Sequence, residues 1–455
     1  MSRPAPRNFR PSLHFTAPTM WLNDPNGLVL ENGRYHLYYQ HYPHDTVWGP
    51  MHWGHAFSSD LYHWEHCPIA MAPDELGMIF SGSAVLDTDN VSGFGKDGKA
   101  PLLIYYTSHG DQERQSMAWS LDGGMTFTRY EGNPILDNPG IRDYRDPKVF
   151  PNPVLGGFSM AVSACDRVMF YHSRDLKHWE KTGEFGPVPE LPREKYLWEC
   201  PDLFPLPYEG GETWVLLASI GVYDKKDGLN FMCWTHGHFD GKTFIRDPQA
   251  KMERLDQGFD CYAGSTYWGT DRRIFLGWGN CPDYAGQTPT GEYCGQMTLP
   301  RELTLCCTES GCQLAALPCG LDSVLFAKPV SGTHLETETF CLRVQGTGAG
   351  SVTLYNENGE EVTFGIDEEN RVFLDRSRAT RLGIDPLFAS SSICSAARPC
   401  SGPWQLDAIF DVTGLEFFTD GGTRYFSQLL FPEHPYTALR TSGAVSVQQF
   451  VPSLS

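Results

Sequence analysis

"SSDLYHWE", Ser58–Glu65, returns along the chain as "SLDGGMTFTR" (Ser120–Arg129), "SRDLKHWEK" (Ser173–Lys181) and, more loosely, "HFDGKTFIRD" (His238–Asp247). Each copy sets an Asp and then an aromatic four or five positions on: Asp60 and Trp64, Asp122 and Phe127, Asp175 and Trp179, Asp240 and Phe244. The four acids lie 62, 53 and 65 residues apart. Ahead of each copy comes a β-rich run, "YHLYYQHY", "PLLIYYTSH", "GFSMAVSA" and "TWVLLASI". Ser-x-Asp followed by Gly or Leu is ordinary hairpin-turn chemistry. Its recurrence in fixed order with a trailing aromatic points further, to a four-stranded unit that repeats and packs on its neighbours. The fold expected is all-β, a five-bladed β-propeller whose repeats span residues 14–318 of a first domain over 1–318. Past Pro318 the repeat stops. Short alternating runs such as "ETFCLRVQG", "SVTLYNENGEEVTFGID" and "RVFLDRS" then predict a C-terminal β-sandwich over 319–455. The stretch "RSRATRLGIDPLFASSSICSAARPC" shows no period and is expected to be a long loop.

The chain has 455 residues and a formal charge of −20, with 13% aromatics and only 20% charged residues. That charge argues against nucleic acid or an anionic membrane as a partner and is compatible with a neutral substrate. "MSRPAPRNFRPSLHF" is basic and contains no apolar run like a signal-peptide core, and no stretch has the length of a membrane span. A cytoplasmic location is expected, and with it 14 cysteines kept as thiols. Pairs such as Cys306-Cys307 and Cys312/Cys319 lack zinc-ligand spacing, so no metal site is expected. Whether the protein forms a homo-oligomer is left open.

Three acids sit in apolar, turn-rich settings: Asp24 in "WLNDPNG", Asp146 in "YRDPKVF" and Glu199 in "YLWECPDLF". Asn-Asp-Pro-Asn-Gly makes a good turn by itself, and each acid taken singly could be a turn cap or a salt-bridge partner. They fall in different repeats, however, and a propeller aims the inner strand of every blade at one central channel. Cleaving a glycosidic bond requires a nucleophile or base on one side and a proton donor on the other. Trp198 beside Glu199 suggests an apolar setting that would raise its pKa. Asp24 among amides, and Asp146 beside Arg145, are expected to stay ionised.

These three motifs, in this order and at these separations, resemble the signatures of the family 32 glycoside hydrolases, the invertase, inulinase and levanase group. "HFTAPTMWLNDPNG", "IFSGSAVLD", "DCYAGSTYW", "FLGWGN" and "LPRELTL" are similar to further motifs of its propeller, and "FDVTGLEFFTDGG" to its sandwich. The resemblance implies Asp24 as nucleophile, Glu199 as general acid/base and Asp146 as stabiliser of the transition state. It implies a fructose pocket formed by Asn23, Gln40, Trp48, Phe80, Ser81, Arg145, Asp260 and Trp278, with no cofactor. The expected activity is that of a retaining, exo-acting β-fructofuranosidase on sucrose and short fructo-oligosaccharides. Inulin or levan hydrolysis, sucrose-6-phosphate hydrolysis and fructosyl transfer stay open, with a non-catalytic carbohydrate-binding propeller as a remote alternative. "WGPMHWGHA" resembles the sucrose-cleaving branch and "ERQSMAWSLDGG" the fructan branch. Departures from the family pattern are Leu22, Cys261 and a "FDVTGLE" that lacks the usual Arg-Ser.

Overall fold

The computed structural model describes residues 7–380 and 383–453. They divide into two compact units, one of residues 17–255 and 262–278 and one of residues 7–16, 256–261, 279–380 and 383–453. The fold is all-β, a five-bladed propeller with a C-terminal sandwich-like sheet.

The first unit contains blades one to four and the opening hairpin of blade five. Blade one is the antiparallel sheet of Met20–Glu31, Arg34–Tyr42, His52–Ser58 and Trp64–Met71, and blade two that of Met78–Leu86, Leu102–His109, Glu113–Ser120 and Thr128–Arg129. Blade three comprises Tyr144–Pro151, Phe158–Ala164, Val168–Ser173 and Glu180–Phe185, and blade four Tyr196–Tyr208, Gly211–Val222, Phe231–Phe239 and Phe244–Arg246. The hairpin of Tyr262–Thr266 with Ile274–Trp278 opens blade five. The first strand of each blade touches the first strand of the next, and the fifth touches the first, which closes a ring about one channel. Second strands are buried on both faces because blades stack face to face. Leu102 to Ser108 accordingly shows no polar alternation, whereas the outer strand Glu180–Phe185 is largely exposed.

The repeated Asp that marks blades one to four is the cap of the turn before the outer strand. Asp60 Oδ1 accepts from the amides of Tyr62 and His63 at 2.9 and 2.8 Å, and Asp175 Oδ1 from Lys177 and His178 at 3.0 and 2.9 Å. Asp122 and Asp240 do the same for Met125 and Thr126 and for Lys242 and Thr243. The trailing aromatics Trp179 and Phe244 then turn inward to the cores between sheets.

The second unit holds the sandwich-like sheet. Its spine is Thr339–Tyr355, one 17-residue strand where the sequence suggests two, bent by a register shift between Gly346 and Gly350. Phe340 stacks on Phe410 at 5.1 Å, and Phe364 on Phe417 at 5.5 Å. The segment expected as a loop over 376–400 is partly ordered: Asp385 caps a short helix, Pro386–Ser390, and Ile393–Ala397 pairs with Arg371–Arg378. The Asp-Pro helix start was readable there; residues 381 and 382 of that segment lie outside the described residues.

Candidate active site

Every inner strand of the ring breaks its pairing at the same level. Two of its residues face one on the second strand: Asn23-Asp24 against Gln40, Phe80-Ser81 against Thr107, Asp146-Pro147 against Val162, Cys200-Pro201 against Ala218, and Ala263-Gly264 against Gly277. Such a β-bulge re-aims the side chains at its position. Asp146, Cys200 and Ala263 take φ of +65°, +45° and +49°, the left-handed region that L residues rarely occupy. Backbone strain of this kind gathers at functional sites. The five bulges bring together what the chain separates.

At the centre is the Cys200 side chain. Its Sγ lies 3.7 Å from Asp24 Oδ2 and 3.5 Å from Asp146 Oδ2, and its amide donates to the same Asp146 oxygen at 2.9 Å. Burial pushes its thiol well up, and the two carboxylates add to the shift, so it stays an S–H donor between them. Ser81 Oγ donates to Asp24 Oδ2 at 2.6 Å and Asn23 Nδ2 to Asp24 Oδ1 at 2.8 Å. Trp21 Nε1 in turn holds Asn23 Oδ1 at 2.7 Å. Asp146 is 6% exposed, and its amide donates to Thr107 Oγ1 at 2.9 Å.

Glu199 sits on the rim of this cluster. Arg145 donates to its Oε1 from Nη2 at 2.9 Å and from Nε at 3.3 Å, and the Tyr262 hydroxyl donates to its Oε2. The other arm of Arg145 spans Glu113 Oε1 and Asp143 Oδ1, both at 2.8 Å. Burial opposes the Arg145 cation, but Glu199, Glu113, Asp146 and Asp143 outweigh it and keep the guanidinium charged. The expected apolar setting of Glu199 is therefore corrected. Strand alternation sends Trp198 into the core, fully buried, and leaves the carboxylate on the polar face. The other two acids also differ from expectation. Burial raises Asp24 above the ordinary carboxylate range, against the bonds from Ser81 and Asn23, and the nearby Glu199 raises it further. Burial pushes Asp146 up to about 7 even though Arg145 pulls it down.

The remaining pocket candidates divide. Phe80 stacks on His109 at 4.1 Å, and Trp48, 51% exposed, meets the Phe80 ring edge-on at 6.2 Å. Gln40 is buried and donates to Asn26 Oδ1 at 2.7 Å. Trp278, 3% exposed, packs at 5.9 Å against Trp21 behind the opening bulge. Asp260 belongs to the other compact unit, and its oxygens are engaged there. Tyr284 donates to Oδ1 at 2.6 Å, while Arg376 and the Leu429 amide donate to Oδ2 at 3.2 and 2.8 Å. Tyr262, Cys200 and Glu113 were not singled out from sequence. Tyr262 stood inside the quoted motif "DCYAGSTYW", and that was the available signal.

Residues 14–318 match the glycosyl hydrolases family 32 N-terminal domain. The chain is 35% identical to a levanase of Bacillus subtilis over 97% of this chain and 69% of that protein. It is 32% identical to the extracellular exo-inulinase inuE of Aspergillus ficuum over 96% and 92%. Among solved structures, an exo-inulinase from Aspergillus awamori superposes with a TM-score of 0.90 at 28% identity, covering 98% of this chain and 99% of that one. The ring of bulges, the acids it gathers and these matches together place the chain in glycoside hydrolase family 32.

Proposed function

We propose that the protein is a retaining, exo-acting β-fructosidase that removes terminal β-D-fructofuranosyl units through a fructosyl-enzyme. One observation carries this reading: Asp24 and Asp146 flank a single thiol, Cys200, whose chain neighbour Glu199 is the third carboxylate. Asp24, aimed by Ser81 and Asn23, attacks the anomeric C2. Glu199 delivers a proton to the departing oxygen, then takes one from the water that hydrolyses the ester. Asp146 holds fructose hydroxyls and stabilises the oxocarbenium-like transition state. Titrating near neutrality, it can serve as donor or acceptor to those hydroxyls. Phe80 and Trp48 give the sugar's C–H face an aromatic wall. The names levanase, exo-inulinase and invertase borne by relatives support a β-fructoside substrate.

Two measurements test the reading. Asp24→Asn and Glu199→Gln should each lower sucrose and inulin turnover by several orders of magnitude with the melting temperature kept. Rapid NMR of the released sugar should show the β-furanose anomer first; α-fructofuranose first would replace the retaining route by an inverting one.

A further inference from the structure

Of the 14 cysteines, Cys307 is the one exposed to solvent among the described residues. It stands in the strand Arg301–Thr308, which pairs with Gly311–Pro318 across a two-residue turn. The residue opposite it is another cysteine, the half-buried Cys312. The far end of this hairpin fixes the kind of pair they make. There the Cys319 amide donates to the Pro300 carbonyl at 2.8 Å, one position beyond Arg301 and Pro318. Bonded and non-bonded positions alternate along an antiparallel pair, and the register is unbroken from Arg301 to Thr308. Cys307 and Cys312 therefore meet at a non-bonded position. Such a position sets the Cα atoms about 4.5 Å apart, and its two side chains share one face of the sheet. A disulfide spans Cα separations of about 4.4–6.8 Å, so the two sulfurs can join without moving the backbone.

We propose that Cys307 and Cys312 form a redox-modification site that closes to a cross-strand disulfide by exchange with a small disulfide such as oxidised glutathione. The exposed Cys307 is the entry point. Its thiolate attacks one sulfur of the glutathione disulfide, that S–S bond breaks, and one glutathione leaves as a thiolate and takes up a proton. The Cys312 thiolate then attacks the Cys307 sulfur of the mixed disulfide and expels the second glutathione. Two protein thiols are oxidised, and one glutathione disulfide is reduced to two thiols. The second step joins groups already facing each other, which gives it the advantage of an intramolecular reaction. The hairpin tip is held for it, since Glu309 Oε1 accepts from Ser401 Oγ at 2.6 Å. The neighbouring thiols are worse placed. Strand alternation turns Cys306 to the other face, opposite Gln313, where its Sγ donates to the Gln313 carbonyl at 3.7 Å. Burial pushes the thiols of Cys306 and of nearby Cys400 up, which lowers the thiolate fraction that exchange requires.

The test incubates the native full chain with oxidised glutathione, quenches it in acid, alkylates the remaining thiols and reads the masses of the intact chain and of its peptides. The wild type should lose two alkylatable thiols, become lighter by two hydrogens and keep no glutathione, and dithiothreitol should restore both thiols. Cleavage after Glu309 separates Cys307 from Cys312, so the bridge should hold the two resulting peptides together. Cys312→Ser should instead retain one glutathione, on Cys307, and Cys307→Ser should form no bridge. Cys306→Ser and Cys400→Ser should behave as the wild type, and melting temperatures before oxidation check that each variant is folded. Glutathione retained on Cys307 in the wild type, a thiol count that does not change, or a bridge that survives Cys307→Ser or Cys312→Ser overturns the proposal. None of these readouts uses sugar turnover, so the result is independent of the hydrolase reading.

Discussion

Arg145 Nη2 donates to Glu199 Oε1 at 2.9 Å while Nη1 of the same guanidinium bridges Glu113 and Asp143, each at 2.8 Å. One planar cation thus positions Glu199, the proposed acid/base, and keeps three carboxylates from repelling one another. A lysine is a point charge on a flexible stem and cannot reproduce that fork. Arg145→Lys should lower kcat by about 10²-fold, the usual consequence of misplacing a catalytic group by about 1 Å. Its melting temperature should change little. Near wild-type kcat on sucrose would show that the fork does not position Glu199.

Asp146 makes a prediction about pH. Its carboxyl ionises at about 7 in the folded chain and near 3.8 in the unfolded one. Between these values the folded state holds the extra proton, so stability from this group falls as pH rises from about 4 to about 7 and stays low above. Asp146→Asn, always neutral, should therefore stabilise the ligand-free protein more at pH 8 than at pH 5 in urea titrations. A difference that is flat across that range, or larger at pH 5, contradicts the assignment.

The second unit contains a buried cation held between two carboxylates. His14 Nδ1 meets Asp411 Oδ2 at 2.8 Å and Nε2 meets Glu416 Oε1 at 3.1 Å. Burial works against the imidazolium, but these two carboxylates raise it from 6.5 to about 9. Its stabilising effect is complete below pH 6.5 and disappears as pH rises through 9. His14→Ala should cost about 3–5 kcal/mol near pH 6, as breaking a buried ion pair does. The gap to wild type should narrow at pH 9.5. A constant gap would mean that His14 acts by packing alone.

Asp260 and Arg376 test a residue that resemblance assigns to the pocket and the structure engages in the second unit. Both side chains are almost wholly buried, and Arg376 also lies 3.8 Å over the Phe388 ring. Asp260→Ala leaves that cation without its carboxylate and should destabilise the protein by about 3–5 kcal/mol. If instead stability holds and KM for sucrose rises, Asp260 contacts the sugar.

The blade repeat was legible because its marker is a turn cap. An Asp that must accept two amides, followed by an aromatic that must reach the core, leaves a local signature in every copy. Asp24, Asp146 and Glu199 were legible through their motifs. Their environments were not, because a bulge adds one residue without altering composition. The prolines in or beside three of the bulges, Pro25, Pro147 and Pro201, were the available hint, since proline has no N–H to give a ladder. Ignoring strand alternation put Trp198 beside the Glu199 carboxylate, when the two point to opposite faces. Missing the bulge hid how deeply Asp146 is buried, and so the direction of its shift.

The proposed retaining route requires Asp24 to become covalently fructosylated. The most direct measurement is peptide mass spectrometry of Glu199→Ala, quenched in acid during turnover of sucrose, since loss of the general base should slow hydrolysis of the ester. The tryptic peptide ending at Arg34, which contains Asp24, should gain the mass of one fructosyl unit, and Asp24→Asn in the same background should abolish the gain. An unmodified Asp24 peptide in a variant that still frees glucose from sucrose, or the label on another carboxylate, would contradict the account.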